Sequence, residues 1–127
     1  MPPIAGRILI GEPEVAVRNR LEEFFLRSGY EPLTAYESEE AINAARQGRI
    51  DLGVIDLGFP RLGGIETVRV LGRLTRKVPC ILTSGSPSKE SQLAALDAGA
   101  VAFVEKPFTD EILLVAVERV FAARAPV

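Results

Sequence analysis

Four side chains in this sequence could share one piece of chemistry: Glu12, Asp56, Ser84 and Lys106. Each stands at the end of a short apolar run: Ile8–Ile10, Leu52–Ile55, Cys80–Leu82 and Val101–Val104. A buried strand that stops on a polar group places that group at its carboxyl end, and ligands of open α/β sheets bind beyond that edge. Two carboxylates, a hydroxyl and an ammonium suit the handling of a phosphoryl group. A carboxylate can act as nucleophile toward phosphorus. A hydroxyl and an ammonium can hold the phosphoryl oxygens as hydrogen-bond donors. The second carboxylate would help hold Mg²⁺, which takes oxygen ligands and keeps several waters. The plainer account is that each residue opens a loop, as Asp and Ser often do. Four polar strand ends in one chain favour the chemical account.

Positioning these residues requires strands that alternate with helices, and the pattern is present. Arg7–Gly11 reads as a buried strand followed by a helix on Val17, Leu21, Phe24 and Phe25, with Pro13 in its first turn and Gly29 ending it. Pro32–Ala35 reads as the second strand, and Ser38 as the cap of a helix that carries Ala41, Ile42 and Ala45 inward and ends near Gly48. Leu52–Asp56 is followed by a helix with Ile65, Val68, Leu71 and Leu74 as its stripe. Pro79–Ser84 precedes a helix capped by Ser88 and stopped at Gly99. Val101–Val104 precedes a last helix capped by Thr109, with Phe108 stapled against Leu113. Five βα units imply an α/β three-layer sandwich, with a parallel sheet covered on both faces by right-handed crossovers.

The totals bound the function. A chain of 127 residues fits one domain, expected over 4–124, with loose ends at Met1–Ala5 and Ala123–Val127. A net charge of −2 and the lack of a long basic run give direct nucleic-acid binding no support. One cysteine and no histidine exclude disulfide frameworks, His-Cys metal sites and histidine-dependent catalysis. No apolar stretch reaches spanning length and Met1-Pro2-Pro3 is no signal peptide, so no membrane partner is expected and the expected location is cytoplasmic.

In order and spacing, the sequence resembles the receiver domain of bacterial two-component response regulators, over roughly 7–121. The residues that carry the resemblance are Arg7-Ile8-Leu9-Ile10 leading into an acid, Ile55-Asp56 with Pro60 and Gly64, and Pro79 through Thr83-Ser84-Gly85. Ala98-Gly99-Ala100 and Glu105-Lys106-Pro107-Phe108 complete them. The resemblance implies a flavodoxin-like (βα)5 fold with strand order 2-1-3-4-5. It implies Asp56 as the residue phosphorylated by a partner histidine kinase or phosphotransfer protein, Ser84 as the switch hydroxyl and Lys106 as the site lysine. Mg²⁺ would be held by Glu12, Asp56 and the backbone carbonyl of Gly58, and Phe103 would be the aromatic that turns inward with the hydroxyl. The Lys106-Pro107 bond would be cis. The face formed by the fourth helix, fifth strand and fifth helix would meet a downstream protein or effector domain. Such a domain is a phosphoacceptor rather than an enzyme, apart from self-catalysed phosphoryl transfer to its own aspartate.

One departure bears on the chemistry. The family normally ends its first strand with two adjacent acids, and those positions fall here on Glu12 and Pro13. Two carboxylates against Lys106 leave the site formally −1, where three would leave −2. Mg²⁺ is therefore expected to bind weakly, because phosphoryl transfer leans on metal neutralisation and one ligand is missing. The competing reading is an atypical receiver, a phosphorylation-independent protein-binding module, with Pro13 as its support. A nucleotide or flavin enzyme is disfavoured, since Gly11-Glu12-Pro13 replaces any glycine-rich phosphate loop. On the last helix Val115 points away from the core and Leu114 lies at its edge, a slight indication of a homodimer or partner face.

Overall fold

Each apolar run becomes a strand in the computed structural model, which describes residues 5–124. The order is β1 (Arg7–Gly11), α1 (Val15–Arg27), β2 (Glu31–Ala35), α2 (Ser38–Gln47), β3 (Leu52–Asp56), α3 (Gly64–Gly72), β4 (Cys80–Ser84), α4 (Lys89–Asp97), β5 (Ala102–Glu105) and α5 (Asp110–Arg124). All pairings are parallel, in the order β2-β1-β3-β4-β5. This is the flavodoxin-like α/β fold that the sequence leads one to expect. The expected domain start at residue 4 and most of the expected loose ends lie outside the described residues.

Alternation along the strands sorts the core into two layers. Leu9, Ile55 and Leu82 face one side, where Ala41, Ile42, Ala45, Val68, Leu71 and Ala95 bring α2, α3 and α4. Ile8, Ile10, Leu52, Val54 and Ile81 face the other, against Leu21 and Phe25 of α1 and Leu113 and Val117 of α5. Each fully buried large aliphatic side chain stabilises by about 1.5–3 kcal/mol. Cys80 is part of the first layer, and burial pushes its thiol up to about 12, against partial relief from the Gly53 backbone. Among the described residues no helix is long and apolar enough to cross a membrane.

Five local expectations need correction. Leu74 lies beyond α3, which ends at Gly72, and packs against the core from the following loop. Pro13 precedes α1 rather than joining its first turn, because the chain turns into the helix only at Glu14. Glu37, not Ser38, caps α2 by accepting from the Glu40 N–H; Ser38 is fully buried and its Oγ accepts from the Leu62 N–H at 3.0 Å. A tertiary contact thus took the hydroxyl that local rules assigned to the cap. Strand β5 runs one residue later than expected, Ala102–Glu105, and Val101 stays exposed outside it. Pro79 lies just before β4 and passes its carbonyl to the Gly53 N–H. Gly29 has φ +92° and ends α1 as expected, and Lys106-Pro107 is cis.

Candidate functional site

The sheet order brings three of the charged residues together. In the parallel register Gly11 lies beside Ile55, so Glu12 and Asp56 arrive at the carboxyl edge as neighbours. Lys106 follows β5 and reaches back across β4. Its Nζ donates to Glu12 Oε1 at 2.6 Å and stands 2.7 Å from Asp56 Oδ1. Burial alone would depress this ammonium, but hydrogen bonds and charge attraction from Asp56 and Glu12 outweigh it and hold its pKa above the ordinary lysine value.

The remaining carboxylate oxygens are also occupied. Glu12 is 3 % exposed, and its Oε2 accepts from the Glu14 N–H at 3.0 Å. The Glu12 backbone carbonyl accepts from Arg18 Nη1 at 2.8 Å. Arg18 is itself buried, with its guanidinium 4.4 Å from the Tyr36 ring centroid, a cation–π geometry. Asp56 Oδ2 accepts from the Gly58 N–H at 2.8 Å, and Thr83, its register partner on β4, places a hydroxyl 3.5 Å from Oδ1.

The loop after Asp56 is pinned at several points. Phe59 is buried in the α2–α4 layer, and the Phe59 N–H donates to the Asp56 carbonyl at 3.0 Å. Gly64 opens α3 directly against the backbone of Asp56 and Leu57, and a Cβ there would overlap the Asp56 carbonyl oxygen and Leu57 Cα. Arg61 takes φ +81°, unusual for a residue with a side chain, and pairs with Glu37 at 3.3 Å and Glu39 at 3.5 Å. These ties hold the Asp56 loop to the start of α2.

The other expected residues are placed differently. Ser84 is buried, and its Oγ accepts from the Ser86 N–H at 3.1 Å, so the hydroxyl serves its own loop. Its backbone carbonyl accepts from the Lys106 N–H at 2.7 Å, which couples the two strand ends. Phe103 is partly buried against the α2–α4 layer. Gly58 reaches Asp56 through its N–H. A groove of about 330 Å³ opens beside Lys106, lined by Val17, Arg20, Gly85, Lys106, Pro107 and Phe108.

Arg18 and Thr83 belong to the site and escaped the sequence reading. Arg18 had a visible signal: with Leu21 and Phe25 it forms the buried i, i+3, i+7 stripe of α1. Thr83 stood only as part of the Thr83-Ser84-Gly85 run; its place beside Asp56 had no signal, because the strand pattern does not show which residue of β4 faces Asp56 across the register.

An α/β sheet of this order, with Asp56 and Lys106 paired at its carboxyl edge, defines a class. The model of the response regulator receiver domain matches residues 8–118, and the chain belongs to that family. Among curated relatives, response regulator MprA of Mycobacterium avium is 34 % identical over 108 residues, 85 % of this chain and 47 % of the relative. The transcriptional regulatory protein PrrA of Mycobacterium tuberculosis is 33 % identical over 102 residues, 80 % of this chain and 44 % of the relative. The chain spans about half the length of these relatives. Among solved structures, FixJ-N superposes with a TM-score of 0.85 at 29 % identity, covering 100 % of both chains. A CheY-like receiver domain protein of Methanospirillum hungatei gives 0.88 at 24 % identity, covering 93 % of this chain and 94 % of that one, a likeness of fold.

Proposed function

We propose that this receiver domain, over 4–124, accepts a phosphoryl group on Asp56 from a partner histidine kinase or phosphotransfer protein. The observation that carries the reading is the Lys106 ammonium 2.7 Å from Asp56 Oδ1 at the sheet edge, in a chain of the receiver family. An Asp56 carboxylate oxygen attacks phosphorus and a phosphorus–oxygen bond to Asp56 forms. The bond from phosphorus to the donor's nitrogen, or to the acetate oxygen of a small acyl phosphate, breaks, and its electron pair leaves with the donor. Lys106 stays beside Asp56 to offset the charge of the transferred oxygens, as fixed cations do in phosphoryl transfer.

Mg²⁺ would supply further neutralisation of the phosphoryl oxygens when bound. Asp56 and the Gly58 carbonyl are hard oxygen donors of the kind it takes, and it accepts one or two carboxylates with water completing the shell. Pro13 removes an acid from that set, so the ion binds weakly. The domain itself is cytoplasmic and makes no direct contact with nucleic acid or membrane.

Output passes through the Ser84/Phe103 side. When Ser84 leaves the Ser86 N–H to meet the phosphoryl oxygens, Phe103 is free to follow it inward. The affected face carries exposed Leu93, Leu96, Val101 and Val115, suited to an effector domain, a downstream protein or a second copy. The groove beside Lys106, at the start of α1, offers the donor protein a place close to Asp56. Replacing Val115 with lysine should weaken that assembly; unchanged assembly and partner binding would remove the face from the proposal.

Intact mass after incubation with acetyl phosphate across a Mg²⁺ titration tests the reading. The expected result is a gain of one phosphoryl group that Asp56→Asn abolishes. If folded protein gains nothing at any Mg²⁺ concentration, the alternative stands: a phosphorylation-independent binding module, in keeping with Pro13 and with Ser84 held by its own loop.

A further inference from the structure

We infer that Glu12 is the fixed anchor of the Lys106 ammonium and not a ligand of a divalent ion. The inference rests on the reading of Asp56 as phosphoryl acceptor, and assigns Glu12 a positioning role for the lysine that meets the phosphoryl group.

Three observations carry it. The first is occupancy. Glu12 Oε1 is bonded to Lys106 Nζ at 2.6 Å and Oε2 to the Glu14 N–H at 3.0 Å. Recruiting Oε2 to an ion would take the partner of the part-buried Glu14 N–H, which costs more than an ordinary hydrogen bond contributes, whereas the Gly58 N–H on Asp56 Oδ2 is exposed to water. The second is access. The Glu12 side chain is 4 % exposed against 12 % for Asp56 and 22 % for Lys106. Mg²⁺ dehydrates reluctantly and keeps several waters, so it favours the carboxylate that water can reach. The third is rigidity. The Glu12 carbonyl is gripped by buried Arg18 at 2.8 Å, and Pro13 follows directly with its φ fixed by the ring. The residue is held by backbone and side chain together and has little freedom to swing outward.

The two departures at the end of β1 then have one account. An aspartate pair would place two short, open carboxylates at the ion. Here the longer glutamate side chain meets Lys106 and folds back on Glu14, while Pro13 contributes no acid. The ion is left with Asp56 and the Gly58 carbonyl as protein ligands, and Lys106 is kept at a set position beside Asp56 whether or not the ion is present.

Mg²⁺ titrations followed by backbone amide shifts test this without any phosphorylation. In the 127-residue chain, Asp56→Asn should weaken Mg²⁺ binding by roughly tenfold or more, the scale of losing a charged ligand. Glu12→Gln, which removes a nearby charge but no ligand, should weaken it by clearly less, about threefold. Equal weakening by the two variants would overturn the assignment. Repeating the set in a Pro13→Asp background gives a measurable affinity however weak the parent site is.

Acetyl phosphate kinetics provide the second readout. Glu12→Gln should lower the maximal rate of mass gain roughly tenfold, as a misplaced cation would, with the half-saturating Mg²⁺ concentration raised by no more than about threefold. A raised half-saturation at an unchanged maximal rate would be the signature of a lost ligand and would also overturn it. If Glu12→Gln does not fold, Glu12→Asp, which keeps the charge but falls a methylene short of Lys106, should lower the maximal rate roughly tenfold; an unchanged rate rejects the anchor. Should no form take up a phosphoryl group, the proposed function fails while the Mg²⁺ titrations still decide the role of Glu12.

Discussion

Helices α3 and α4 flank the same face of the sheet, yet they are held very differently. Helix α3 buries Gly64, Thr67, Val68 and Leu71 in nine residues and starts against the Asp56 backbone. Helix α4, also nine residues, buries only Ala95 and leaves Leu93 57 % and Leu96 67 % exposed. The ends differ in the same sense. The Asp56 side is locked by Lys106, Gly58, Phe59 and the Arg61 pairs, whereas the Ser84 hydroxyl is held by one bond to Ser86. Local stability follows buried apolar contact, so the two halves of the edge are suited to different work. The tight half keeps the charges in place; the loose half can move at small cost.

The largest test of this contrast lies in α3. Gly64→Ala drives a methyl group into the Asp56 backbone and should cost about 3 kcal/mol in chemical denaturation. Leu71→Ala, from a fully buried position, should cost about the same, whereas Leu96→Ala should cost under about 0.5 kcal/mol. Similar losses for Leu71→Ala and Leu96→Ala would abolish the distinction. Pro13→Asp sharpens the charged half: Mg²⁺ should bind roughly tenfold tighter, about 1.4 kcal/mol. No gain would mean that residue 13 does not face the ion.

Ser88→Ala probes the loose half. It removes the capping box in which Ser88 and Ser91 satisfy each other's amides, and should cost about 1 kcal/mol. Amide exchange should rise along α4 and leave α3 unchanged. The last test is alkaline. The Lys106 pKa is raised in the fold, so its stabilising share is complete below the ordinary value of 10.5 and is lost as pH rises through the folded value. Cys80, raised from 9.0 to about 12, acts in the same direction, because above pH 9.0 the unfolded chain loses that proton first. Denaturation midpoints should fall above pH 9.0, and less so in Cys80→Ala.

The sequence carried the scaffold well because buried parallel strands and capped helices leave periodic traces. The five strands, the turn at Gly29 and the meeting of Asp56 with Lys106 were all legible in that way. What escaped depends on contacts between distant segments. Ser38 looks like a cap until Leu62 is known to sit above it, and Thr83 looks like core until β4 is set in register with Asp56. The surroundings of Glu12 were hidden in the same way. Its burial, its bond to Glu14 and the grip of Arg18 are visible only in three dimensions.

The packing of Cys80 has a practical consequence for following α4. It is the chain's single cysteine, buried at the start of β4 and almost without thiolate at neutral pH. Alkylating dyes and spin labels should therefore leave the parent protein untouched. A thiol introduced at Leu96 would carry the only probe, so its spectrum could report the helix's excursions with no background to subtract.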